Sequence, residues 1–173
     1  MASYRDKLPA SGAASVVSVQ RSTVAASGTS TDITISAVDM SKTYIRHSAR
    51  YADSATGRDA CYNIELINST TVRITRDATA SISIYPLVSM EVVSDSGCTV
   101  QRGTSASATT ITISSINQAK SFININGLRS SSAATPYVQQ VLFGRITADT
   151  TINLQVGVST GISNLKWEVV SYV

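Results

Sequence analysis

Apolar and polar side chains alternate in short runs along much of this chain. Ile33 and Ile35 are spaced by Asp32, Thr34 and Ser36, Ile111 and Ile113 by Thr110, Thr112 and Ser114, and Ile123 and Ile125 by Asn124 and Asn126. A period of two marks a strand with one dry face and one wet face. In the first half the pattern predicts strands over 16–21, 32–36, 42–48, 62–67, 71–76 and 81–93. Asn68-Ser69 between two such runs reads as a tight hairpin turn, and Ala148-Asp149 fills the same place later in the chain. Short strands spaced by about ten residues, with turns rich in Ser, Gly, Asp and Asn, indicate an all-β antiparallel sandwich. Almost nothing carries a helical period.

The runs also repeat. Val19-Gln20-Arg21-Ser22-Thr23 returns 81 residues later as Val100-Gln101-Arg102-Gly103-Thr104. Asp32-Ile33-Thr34-Ile35-Ser36 returns as Thr110-Ile111-Thr112-Ile113-Ser114, and Ser41-Lys42-Thr43-Tyr44-Ile45 as Ala119-Lys120-Ser121-Phe122-Ile123. Thr70-Thr71-Val72-Arg73-Ile74 is echoed by Thr150-Thr151-Ile152-Asn153-Leu154, and Met90-Glu91-Val92-Val93-Ser94 by Trp167-Glu168-Val169-Val170-Ser171. The register drifts by only a few residues, as expected where loops change length and strands do not. The expected organisation is an extended arm over 1–15 followed by two tandem duplicated β-sandwich domains, 16–96 and 97–173. Domains of about 80 residues lie near the lower end of independently stable size, so each half is expected to lean on the other or on a partner.

Composition narrows the function. Charged residues are 14% and hydrophobic residues 43%, which suits a folded chain, and Ser and Thr make up about a quarter of it. The formal net charge is +3, and Lys and Arg are scattered singly, unlike the clusters that track a phosphate backbone, so nucleic acid is not an expected partner. No apolar run approaches the roughly 18 residues that span a bilayer, and the first residues lack the hydrophobic core of a signal peptide. The expectation is a soluble product, made in the cytoplasm, with no membrane partner.

Candidate chemistry is sparse. The single His47 has no second histidine with which to build a conventional zinc site alongside Cys61 and Cys98, so no metal and no cofactor are expected. Gly157-Val158-Ser159-Thr160-Gly161 is glycine-rich but sits between strands, not before a helix, and there is no nucleophile elbow or His-Glu-x-x-His. Glu91 and Glu168 occupy equivalent places in the two repeats and read as outward residues on closing strands, not as a hydrolytic pair. Trp167 and its counterpart Met90 read as packing residues. No catalytic residue is assigned and the chain is not expected to be an enzyme. Cys61 and Cys98 have no counterparts in the opposite repeat; they read as ordinary small thiols or, alternatively, as an intersubunit disulfide. The repeats diverge most after His47, where Arg46, His47, Arg50 and Arg58 form a candidate interface loop, and Tyr4, Arg5 and Lys7 form a candidate docking arm.

With the duplication, the Val-Gln-Arg phrase, the Thr-Ile-Thr-Ile-Ser strand and the Glu-Val-Val-Ser terminus in view, residues 16–173 resemble in style the small β-domain virion proteins of tailed bacteriophages. That resemblance implies a non-catalytic structural protein in the neck or collar, in capsid decoration or on the tail. It would be a homo-oligomer on the particle, with copies of itself and capsid, portal/neck or tail proteins as partners, and would be located in the virion. A tail-associated module that recognises a host-surface glycan or receptor is the alternative.

Overall fold

In the computed structural model, residues 16–27, 29–50, 62–76, 87–105, 109–127, 129–130, 142–156, 162–163 and 165–173 are described. They are all-β, apart from two single 3-10 turns at Met40–Lys42 and Gln118–Lys120. The first half contains β1 (Val16–Ala25), β2 (Ser30–Thr34), β3 (Thr43–Arg50), β4 (Tyr62–Asn68), β5 (Thr71–Arg76) and β6 (Leu87–Asp95). The second contains β7 (Cys98–Ser105), β8 (Thr109–Thr112), β9 (Ser121–Ile125), β10 (Arg129–Ser130), β11 (Leu142–Ala148), β12 (Thr151–Val156), β13 (Ile162–Ser163) and β14 (Leu165–Tyr172).

Each half has two three-stranded antiparallel sheets with the same strand order. In the first, β6 lies between β1 and β3, and β5 between β2 and β4; in the second, β14 lies between β7 and β9, and β12 between β8 and β11. The finer bonding repeats as well. The Gln20 side chain donates to the Ser36 carbonyl at 3.0 Å and accepts from the Ser36 N–H at 2.6 Å, bridging the two sheets as a strand neighbour would. Gln101 does the same with Ser114, at 2.9 and 2.7 Å. Asp39 and Asn117 cap the two 3-10 turns through the amides of Ser41 and Ala119. These amide and carboxylate partners satisfy backbone groups that the strand ends leave open, and they explain why Gln, Asp/Asn and Ser recur at fixed places in the repeat.

The cores follow from the alternation. Ile45, Ile64, Val72, Ile74, Val88 and Val92 are buried between the sheets of the first half; Ile152, Leu154, Leu165, Trp167 and Val169 fill the corresponding space in the second. Full burial of one such side chain contributes about 1.5–3 kcal/mol. The paired valines of each Glu-Val-Val-Ser phrase serve opposite faces of their strands. Val92 and Val169 point into their own cores, while Val93 and Val170 meet in a third cluster with Tyr44 and Cys98, between the halves. The halves therefore pack together. Their connection is short, with β6 ending at Asp95 and β7 beginning at Cys98, and the Asp95 carboxylate accepts from the Gly97 N–H at 2.9 Å.

Several boundaries differ from the alternation-based expectation. β1 runs on to Ala25 because its ladder with β6 continues through Ala25 opposite Leu87. β2 spans 30–34, and Ile35 and Val38 instead donate to the carbonyls of Thr70 and Ser69 in the β4–β5 turn. That turn is Ser69-Thr70, one residue later than expected, because a bulge lets Asn68 pair with Thr71. Asp149-Thr150 is the corresponding turn, after the equivalent bulge at Ile146 and Ala148. The expected arm 1–15 and the segment 81–86 lie outside the described residues.

Candidate functional site: one Arg–Glu face, closed in one half and open in the other

The junction between the halves is built on Arg102 of β7 and Glu168 of β14, which stand opposite each other in the ladder. Glu168 is 2% exposed. One of its carboxylate oxygens, Oε2, accepts from the Ile45 N–H at 3.0 Å, and the other lies 3.3 Å from the Arg102 guanidinium. Arg102 in turn donates to the carbonyls of Met40, at 2.8 Å, and Thr43. Asn124 donates to the Ile45 carbonyl at 3.3 Å. The edge of β3 is thereby held by side chains, not by another strand: its outward N–H and C=O groups are met one by one by Glu168, Arg102 and Asn124. A buried carboxylate is tolerable only with such a set of donors around it.

A second contact extends the junction to β4. The Ile64 N–H donates to the Asn126 carbonyl at 2.8 Å, the Asn126 N–H donates to the Lys166 carbonyl at 2.8 Å, and Asn63 bridges to Gly127. Gly127 has φ 109°, and a Cβ there would lie 2.1 Å from the Tyr62 carbonyl oxygen, so only glycine lets β4 approach. Lys166 reaches Glu65 at 2.8 Å. Ile64 to Leu66 thus lie over Arg102, Gly103, Trp167 and Glu168, leaving a space of about 70 Å³.

The same face in the first half is open. Arg21 of β1 stands opposite Glu91 of β6, with Nε 2.8 Å from Oε1, and Arg46 of β3 lies 3.6 Å from the other carboxylate oxygen. Glu91 is 33% exposed and both arginines more so. Around them is a groove of about 380 Å³, bounded also by Thr23, His47 and Met90. Among the described residues, no chain segment lies over it as Ile64–Leu66 lie over its counterpart.

No family model, curated protein or solved structure matches this chain. Its chemistry is therefore read from its own two halves. Among the described residues, no group of three or more His, Cys, Asp or Glu side chains could hold a metal ion, and no helix is long and apolar enough to cross a membrane.

The site residues expected from sequence fall as follows. Arg46, His47 and Arg50 lie in strand β3, not in a loop, because their ladder with β6 continues to Arg50 opposite Leu87. His47 shares its strand face with Ile45, its Nδ1 is 2.8 Å from the Tyr62 hydroxyl, and the rings meet edge to face. Burial pushes the His47 imidazole below its ordinary pKa, against a smaller raising by a hydrogen bond with the Ile125 backbone. Glu168 faces out of its own half, as expected of a closing strand, but it is buried because the first half covers it. Cys98 is fully buried; its thiol donates to the Asp95 carbonyl at 3.3 Å, and burial raises its pKa. Enclosure and a raised pKa both oppose thiol exchange with a neighbouring chain. Tyr4, Arg5, Lys7, Arg58 and Cys61 lie outside the described residues. Sequence reasoning missed Arg21, Arg102 and Gly127; the repeated Arg within the Val-Gln-Arg phrase, facing the repeated Glu, was the signal for the first two.

Proposed function

We propose that the chain is a tandem duplication of one β-domain and acts as a non-catalytic structural component that assembles through contacts between copies. The virion of a tailed phage is the proposed setting, where such a part tiles or bridges the surface at the neck, the collar or the capsid. The observation that carries the structural reading is that the two halves bind each other through a reusable device: an Arg–Glu pair on one half grips the bare strand edge of the other. Both halves carry the pair and both carry the edge. The phage setting is supported by the resemblance in phrasing set out above, and the other virion proteins proposed as partners rest on it too.

Light scattering of the purified protein, with and without reductant, combined with a glycan array, tests the reading. An oligomer without glycan affinity is the expected result. A monomer that binds host-surface glycans overturns it in favour of a tail-associated recognition module. A dissociation on reduction would bring Cys61 into the contact.

A further inference from the structure

The repeat relation makes a specific statement about the open groove. In the second half, the Arg102–Glu168 face is covered by residues 40–45 and by β4 of the first half. The counterpart of residues 40–45 in the second half is 118–123, which leads into β9, the edge strand of its sheet. Ile45 is opposite Val92 and directs its N–H and C=O outward, to Glu168 and Asn124; Ile123 is opposite Val169 at the matching register. In an antiparallel ladder, residues at matching register direct their backbone groups the same way. Burial differs in the direction that an unfilled contact requires. Tyr44 is 6% exposed and its counterpart Phe122 37%; Asn63 is 2% exposed and its counterpart Phe143, on β11, 48%. Phe122 keeps part of its ring open although it already meets Tyr44 and Tyr172, and Phe143 is the more exposed aromatic, standing where the first half has a residue buried at the junction.

We infer that the groove formed by Arg21, Arg46 and Glu91 receives the 118–123 edge of a second copy of this chain, repeating between chains the contact that joins the halves within one. In that contact Glu91 accepts from the Ile123 N–H, Arg21 donates to the carbonyls of Gln118 and Ser121, and Arg46, which stands where Asn124 does in the other half, donates to the Ile123 carbonyl. Phe143 lies over the groove's rim as Asn63 lies over Gly127. The part of the face nearest the connection, Val19 and Val93, is already covered by the chain's own second half, so the new contact uses the charged part. It is heterologous, groove to edge, and such contacts run on into rings or filaments. The inference rests on the proposed self-association and adds its surface, partner and polarity.

Sedimentation velocity of the full chain over a wide concentration range tests it, using Glu91→Lys to block the groove and Phe143→Glu to block the edge. Phe143 is exposed and Glu91 half-buried, and an unchanged melting transition confirms that each variant folds. The wild type is expected to associate, and each variant to raise the association Kd at least about tenfold, as loss of one partner of a hydrogen-bonded charged contact does. An equimolar mixture of the two variants is expected to restore association but to stop at the dimer, because one intact groove and one intact edge remain. If the wild type associates and both variants match it, the assigned surface is wrong while self-association stands. Silent mixtures from two defective variants overturn the groove-to-edge polarity. A wild type that stays monomeric at every concentration removes the self-association reading itself, and this inference with it.

Discussion

Arg21 and Glu91 in the first half, and Arg102 and Glu168 in the second, occupy the same places in the same strands, yet the Glu91 carboxylate is a third exposed and that of Glu168 is buried. The exposed pair holds its partners at 2.8 and 3.6 Å in solvent. The buried pair is spaced at 3.3 Å and spends most of its hydrogen-bonding capacity on the backbone of the other half. A surface ion pair contributes little because water competes for both ions, whereas a buried one is costly to break because the remaining charge is stranded. The same four side chains therefore do different work: adhesion inside the chain in one half, and availability in the other.

The largest effect that should separate the two faces comes from deleting the acids. Glu168→Ala is expected to cost about 3–5 kcal/mol, since it strands Arg102 and leaves the Ile45 N–H without its acceptor. Glu91→Ala is expected to cost less than about 1 kcal/mol. Denaturant unfolding of both variants measures the difference; equal costs would mean that the two pairs are not differently placed in solution. Next, Gly127→Ala should cost about 1–3 kcal/mol, because both the left-handed backbone and the Tyr62 carbonyl oppose a Cβ. Hydrogen exchange should then accelerate at the Ile64 amide, which bonds Asn126, and not in the β1–β6 ladder.

A smaller contrast lies beneath the two grooves. A Cβ on Gly103 would lie 2.5 Å from the Trp167 ring, whereas its counterpart is Ser22 and faces Met90. Gly103→Ser is expected to destabilise by about 1–3 kcal/mol by overpacking, and Ser22→Gly by about 1 kcal/mol or less. Fluorescence of Trp167, the single tryptophan, reports the first directly.

The smallest effect is a pH dependence confined to the first half. His47 has a folded pKa below its unfolded value, so the folded state binds the proton less readily than the unfolded one. Its share of stability is intact above the unfolded value of about 6.5 and is lost as pH falls through the folded pKa. Subtracting the melting curves of His47→Gln from those of the wild type between about pH 5 and 8 isolates this contribution. A flat difference would place the imidazole in solvent.

Much of the sheet structure was legible from local alternation. Thr71–Arg76 emerged with its boundaries intact, since Val72 and Ile74 alternate with Arg73 and Thr75 and turn residues precede them. The hairpin turn was misplaced by one residue because a bulge is set by pairing across strands, which a single run of sequence does not display. The packing roles of Met90 and Trp167 were readable from their shared place in the repeat. The junction was not. Glu91 and Glu168 sit in nearly the same local phrase, and their difference in burial arises from a chain segment more than a hundred residues away from Glu168. Sequence equivalence identifies matching surfaces, but only the docking of the halves decides which copy is covered. At the matching positions, Gly103 stands beside Trp167 where Ser22 stands beside Met90.

The pairing of β1 with β6, and of β7 with β14, places the start and finish of each half side by side. A unit with adjoining ends can be spliced into a longer chain without rethreading any strand. Extending such an array would need only a further copy of the unit and a connection as brief as Ser96-Gly97. Length then becomes a genetic variable, adjustable in whole units, while the architecture of each unit stays fixed.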